Sequence, residues 1–231
     1  MGVRQDLTAA IGDPHCPFLH KPTFEWQLKA IEYLKPKYCV VMGDVHDMYS
    51  FSRFGVRLHN SPKHEMDESY SQWQEMARLL RLVSPDTIFY CLRGNHDARG
   101  VKMLYEKYGP AWEVLTSERD FWKADGFNII YDAKEPLELN GVLYTHGHRK
   151  FGDHCPSMDY KSVVIGHLHK GEIKNFRMAS GEIRFEMCVG YTGDPFHPAL
   201  NYRPLNKYFN WHHGLGLVDS HGPRFLPFYQ K

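Results

Sequence analysis

The sequence predicts an α/β protein with two β-sheets and flanking helices. Three observations carry this expectation. The first half alternates strand-length apolar runs with helical stretches. The second half reads almost entirely as short strands and turns. Five of the predicted strands stop at a cluster of Gly, Asp, Asn or His. At 231 residues the chain is long for one small domain and short for two, so a single domain over 1–231 is expected.

The elements follow in order. "LTAAIG" is an apolar run that stops at "DPHCP". "TFEWQLKAIEYLK" places Phe24, Leu28, Ile31 and Leu34 at helical spacing behind Pro22. "KYCVVMG" is a buried strand ending at "DVHD". "DESYSQWQEMARLLRLVS" is a second helix, with Trp73, Met76, Leu79, Leu80 and Val83 on its core face. "TIFYCLRG" is a strand that stops at "NHD", and 99–123 is expected to be helical with a break near "YGPAW". Strands are then expected at "GFNIIYD", "PLELNG", "VLYTHG", "SVVIGH", "GEIKNFRM", "GEIRFEMCVG", "LGLVD" and "RFLPFY". No internal repeat or low-complexity linker interrupts them.

Composition sets bounds. The 28 basic and 27 acidic residues nearly cancel, so net charge gives no footprint of a nucleic-acid binder. It does not exclude one, because a metal cluster supplies its own positive charge. The five cysteines form no C-x-x-C pair, and Cys39, Cys91 and Cys188, in or beside apolar runs, read as buried thiols of a reducing compartment. "MGVRQDLTAAIGD" has no signal-peptide core, and Asp6 stands where a myristoylation signal wants Ser or Thr. No apolar run reaches membrane-spanning length. A cytoplasmic location without membrane contact is expected, and oligomeric state is left open.

The unusual count is 15 histidines, many beside Gly and Asp. In a parallel sheet the strand C-termini share one edge, and ligands bind in the crevice there. The five clusters would therefore meet in space. Asp13, His15, Asp44, Asn95, His146, His167 and His169 then form a mixed oxygen and nitrogen donor set. These are too many for one tetrahedral zinc. Shared between two divalent cations, with a bridging aspartate, they suit a dinuclear centre with ions roughly 3.5–4 Å apart.

The ordered series "DPH", "GDVHD", "GNHD", "THGH" and "GHLH", from residue 13 to residue 169, resembles the calcineurin-like metallophosphoesterase family. Small stand-alone bacterial or phage members are the nearest likeness. The resemblance implies a four-layer αββα sandwich of two mixed sheets packed together with helices outside. It implies a phosphoester hydrolase in which hydroxide held by two metals attacks phosphorus. It puts Asp13, His15 and His169 on one metal, Asn95, His146 and His167 on the other, and Asp44 between them. His96 would serve the scissile phosphoryl group or the leaving oxygen as a catalytic residue, and Asp97 would hydrogen-bond His96. Asp47 would support the ligand loop.

Manganese is the leading metal expectation, with iron, zinc, nickel or cobalt as alternatives. Protein phosphatases of the family carry Arg after the second block, where this chain has Met48 and Tyr49. Phosphodiesters, such as nucleotides or nucleic acid cut in a nuclease-like way, are therefore favoured over phosphomonoesters or phosphoproteins. A non-catalytic binding protein on the same fold is the reading from another class. The cytoplasm of a bacterium or of a phage-infected host follows as the expected location. Arg93 and His148 are candidate substrate contacts, with Arg149 beside them. His46 is read as a surface residue, Cys16 as a buried thiol, and His154 with Cys155 as loop residues. Trp211 or His212 is read as packing that could also cover one side of the site.

Overall fold

The computed structural model describes residues 3–52, 61–109, 122–132, 135–197 and 210–229. The first sheet has six strands: β1 (Arg4–Ile11), β2 (Pro36–Val41), β3 (Ile88–Leu92), β4 (Phe127–Ile130), β10 (Gly214–Asp219) and β11 (Gly222–Pro227), in the order β11-β10-β1-β2-β3-β4. β1 to β4 run parallel, and β10 and β11 add antiparallel strands at one edge. The second sheet has five: β5 (Leu137–Leu139), β6 (Val142–Thr145), β7 (Val163–Ile165), β8 (Gly171–Arg177) and β9 (Ile183–Val189), in the order β5-β6-β7-β9-β8. There β6, β7 and β9 are parallel and the outer two strands antiparallel. Both sheets are mixed, as expected.

Side-chain alternation assigns the layers. Leu7, Ala9 and Ile11 of β1 face the helices, while Ala10 faces the other sheet. Likewise Cys39 and Val41 of β2 point one way and Val40 the other. The inter-sheet core joins Ala10, Val40 and Met42 to Tyr144, Val164, Met187 and Val189. The outer face of the first sheet is covered by α1 (Lys21–Leu34) and α2 (Pro62–Val83), through Phe24, Ile31, Trp73, Met76 and Leu80. The outer face of the second sheet carries the short helix α4 (His154–Ser157), packed through Cys155 on Leu143, Val163 and Ile165.

The helix ends obey local rules. Ser61 caps α2 by accepting from the His64 backbone N–H, and Pro62 fills the first turn, where no donor is needed. α1 stops at Lys35 in the left-handed conformation, whose N–H donates to the Ile31 carbonyl. α3 runs Arg99–Tyr108, and the rest of the expected 99–123 helix, at 110–121, lies outside the described residues. No helix among the described residues is long and apolar enough to cross a membrane. All five cysteines are buried and free.

Candidate metal centre

Every block of the motif series sits past the C-terminal end of a parallel strand. Asp13 and His15 follow β1, Asp44 follows β2, and Asn95 and His96 follow β3. His146 follows β6, and His167 and His169 follow β7. Backbone bonds tie these loops together. His15 N–H donates to the Asp44 carbonyl at 2.9 Å and Cys16 N–H to that of Val45 at 2.7 Å. Gly166 N–H donates to the His146 carbonyl at 3.1 Å.

Donor atoms from three groups of residues lie within 4.8 Å of one another: Asp13, His15 and His169; Asp44, His146 and His167; and His15, Asp44 and His96. Asn95 Oδ1 is 3.0 Å from Nε2 of His146, which places it with the second group. Asp44 Oδ2 is the hub, 3.3 Å from Nε2 of His146 and 3.9 Å from Nε2 of both His15 and His96. The seven candidate ligands are thus brought together, and Asp44 stands between the two main groups.

Outer hydrogen bonds turn the rings. His146 Nδ1–H donates to the Met42 carbonyl at 2.8 Å, which turns Nε2 toward Asp44 and Asn95. His15 Nδ1 is 2.7 Å from Asp47 Oδ2, which leaves its Nε2 facing inward. Five candidate ligands hold positive φ: Asp13 (22°), His15 (52°), Asp44 (48°), His167 (63°) and His169 (59°). Non-glycine residues adopt this region at a cost, and such strain gathers at functional sites. Gly94 and Gly166 admit the loops: a Cβ on Gly94 would overlap the Asp44 carboxylate and backbone N, and one on Gly166 the Asp13 carboxylate.

The electrostatics ask for a cation. Burial opposes ionisation of Asp44, yet His146 and His96 outweigh it and hold its carboxyl well below the usual range. Burial likewise opposes Asp13, which the His169 and His146 rings keep low. His169 is pushed down to about 4 by burial, so it presents a neutral imidazole. Burial works against charge on His146, but Asp44 beside it raises the ring to about 10. Asp13 is fully buried, and neither carboxylate oxygen has a hydrogen-bond partner; Oδ2 approaches Nε2 of His169 at 3.1 Å without that alignment. His15 Nε2 is also buried and unpartnered. Such groups are costly alone, and divalent cations held by oxygen and imidazole donors satisfy them, so the residues fit the expected metals.

Several expectations are corrected. Asp97 does not hydrogen-bond His96. Its carboxylate turns back to accept from the His46 and Gly94 backbone N–H groups, at 2.8 and 2.7 Å. Asp47 takes that place, with Oδ2 3.1 Å from Nδ1 of His96. Burial and the nearby Asp44 push Asp97 up to about 7. His46 is fully buried, with Nδ1 2.7 Å from Ser69 Oγ, because its loop is zipped to Cys16. His154 and Cys155 begin helix α4 and are buried. Glu186 accepts there from the N–H groups of Gly152, His154 and Cys155 and from Nδ1 of His154, and His154 Nε2 accepts from His148 and Arg149 N–H. That pair pins the loop after His146.

The substrate-side candidates lie around this centre. His148 and Arg149 are exposed on the loop after β6. Arg93 is half-buried and lines a crevice with Asp132, Glu135 and His146. Trp211 meets His169 edge-on at 4.4 Å between ring centres, while the His212 backbone N–H donates to the His169 carbonyl at 2.9 Å. Sequence reasoning missed Tyr191, which is buried and stacks on His169 at 4.3 Å. Its signal was available: "GYTG" also follows a parallel strand, β9. Glu186 had a signal too, a carboxylate inside the apolar run "RFEMCV".

Comparisons with known proteins add three findings. The calcineurin-like phosphoesterase family profile matches residues 7–229. No curated protein matches the sequence. Among solved structures, the chain is similar to Vps29 of Chaetomium thermophilum, at 13% identity over 94% of this chain and 83% of that one, with a TM-score of 0.46. It is also similar to the nuclease MPE of Pseudomonas putida, at 11% identity over 96% and 86% of the two chains, with a TM-score of 0.39.

Proposed function

The chain belongs to the calcineurin-like phosphoesterase family, and from that premise we propose that it is a metal-dependent hydrolase of phosphodiesters. The observation that carries the proposal is the pairing of two donor groups across Asp44, with buried Asp13 oxygens and His15 Nε2 left unsatisfied. Asp13, His15 and His169 would hold one divalent cation, and Asn95, His146 and His167 the other. Asp44 would serve both. Manganese leads as the metal; when bound, such ions supply positive charge at phosphoryl oxygens and lower the pKa of water.

The chain's own groups have distinct tasks in this reading. His96 addresses the phosphoryl or leaving-group oxygen through Nε2. Asp47 orients that ring through Nδ1, 3.1 Å away. His148 and Arg149 lie exposed beside the centre, where a polyanionic substrate extends past the reacting phosphate. The residue after Asp47 is Met48, buried and apolar, in the place of the phosphatase arginine. That difference supports diesters, including nucleotides and nucleic acid, over monoesters.

The test is metal-reconstituted protein assayed in parallel on a bis-aryl phosphate, an aryl monophosphate, and single- and double-stranded DNA. Turnover of the diester, reduced at least about 100-fold in His96→Ala, is the expected result. A preference for the monoester removes the diester assignment. No turnover with manganese, iron, zinc, nickel or cobalt sinks the hydrolase reading and favours a binding role.

A further inference from the structure

Arg99 begins α3, outside the five motif blocks, and its guanidinium turns back over the site. Nη1 donates to the Asp47 carbonyl at 3.1 Å, and Nη2 lies 2.7 Å from Nε2 of His96. Nη1 is also 3.7 Å from Asp47 Oδ1. On the other side of the ring, Nδ1 of His96 faces Asp47 Oδ2 at 3.1 Å. With Nδ1–H directed at that carboxylate, Nε2 is the acceptor for Arg99. The same Nε2 is 3.9 Å from Asp44 Oδ2, the hub of the centre. The Arg99 side chain is 20% exposed, so the guanidinium reaches solvent at the mouth of the site. Its backbone is anchored, because Arg99 N–H donates to the His96 carbonyl at 2.9 Å.

We propose that Arg99 is a substrate-contacting residue, whose guanidinium leaves Nε2 of His96 and forks onto the phosphoryl oxygens when substrate binds. The proposal rests on the hydrolase reading. A neutral imidazole nitrogen is a weaker acceptor than an anionic phosphoryl oxygen, and charge-assisted bonds are about twice as strong as neutral ones. A guanidinium has five donors in a planar fork that matches two oxygens of one phosphoryl group. The exchange also frees His96 Nε2 to address the substrate. Arg99 thus supplies, from α3 and beside the Asp47 carbonyl, a cation where the chain itself continues into apolar Met48.

The experiment compares metal-loaded wild type with Arg99→Gln, Arg99→Lys and the control Arg78→Ala, which removes an exposed arginine paired with Glu75 on α2. Two quantities are measured: affinity for inorganic phosphate by calorimetry, and kcat/KM on a bis-aryl phosphate. Arg99→Gln should weaken phosphate about 10- to 100-fold and lower kcat/KM at least as much. Arg99→Lys should recover part of both, since it keeps the charge and loses the fork. Arg78→Ala should match wild type. Unchanged phosphate affinity in Arg99→Gln, even with reduced turnover, overturns the proposal, because Arg99 would then act only by holding His96. If Arg99→Gln does not fold, Arg99→Lys decides: weaker phosphate binding supports the contact, and wild-type affinity overturns it. A wild type that neither binds phosphate nor turns over the diester ends both this proposal and the hydrolase reading. A wild type that does both, matched by Arg99→Gln, ends this proposal alone.

Discussion

Asp47 Oδ2 lies 3.1 Å from Nδ1 of His96, across the gap between the loops that follow β2 and β3. The same oxygen is 2.7 Å from Nδ1 of His15, so one carboxylate orients a candidate metal ligand and the candidate catalytic ring. Burial opposes its ionisation, but His96 and His15 hold the Asp47 carboxyl well below the usual range.

Asp47→Asn tests this double role. The amide keeps the size and one oxygen for both rings, but it removes the negative charge that strengthens both bonds and turns an NH2 group toward Arg99 Nη1, which lies 3.7 Å from Oδ1. Metal affinity should fall about 10- to 100-fold, as for other groups that orient a ligand, and turnover should fall with it at saturating metal. Asp97→Asn should instead cost about 1–3 kcal/mol of stability, through its two backbone donors, and spare turnover by comparison. Equal effects of the two substitutions on turnover would remove the distinction drawn here.

Gly94 is predicted to be indispensable for a steric reason. An added Cβ meets Asp44 at its backbone nitrogen and carboxylate, neither of which is a flexible tip. Gly94→Ala should lose about 1–3 kcal/mol of stability and most of its metal. Gly141→Ala is the contrast: φ is +75°, but nothing lies within 4 Å of the new Cβ. It should lose only about 1 kcal/mol from backbone strain and keep full metal content. Thermal unfolding with elemental analysis reads both, and a metal-replete Gly94→Ala would show that the loops have slack.

Glu186 is expected to behave as a buried anchor. It is fully buried and accepts four bonds, from the N–H groups of Gly152, His154 and Cys155 and from Nδ1 of His154. Glu186→Ala strands all four and should cost about 3–5 kcal/mol, with Glu186→Gln milder. Urea denaturation gives the number. Hydrogen exchange should rise first at 147–152, and unchanged protection there would contradict the anchoring role.

Much of this arrangement was legible in the chain. Continuous apolar runs located the strands of the first half and alternation those after about residue 125, and Gly with Asp, Asn or His after strands marked the site edge. The seven candidate ligands needed only strand direction to be brought together. What stayed hidden depended on how loops turn. Asp97 is adjacent to His96 in sequence, so it was the natural partner, yet the turn aims its carboxylate at Gly94 N–H. His46 fills a variable motif position, and its burial follows from the Cys16 bridge between loops. The Glu186–His154 pair spans 32 residues, a separation over which no local pattern exists.

Acid sensitivity offers a test away from the metal ligands. His213 Nε2–H donates to the Gly193 carbonyl at 3.0 Å, and the ring stacks on His20 at 4.5 Å. Burial, then the neighbouring His20, push His213 down from 6.5 to about 4, while the Gly193 carbonyl and Asp194 act the other way. As pH falls below 6.5, the unfolded chain takes up a proton that the folded ring refuses until about 4. Stability therefore falls with pH across that window and is insensitive to this residue above it. His213→Gln cannot titrate, and its amide N–H can still donate to Gly193. His20, lowered by burial too, remains in both proteins and contributes to each. Between pH 7 and 4.5, wild type should lose roughly 2 kcal/mol more than His213→Gln, read from urea midpoints of chelated protein. Parallel losses in the two would mean that the ring is protonated in the folded state at no cost.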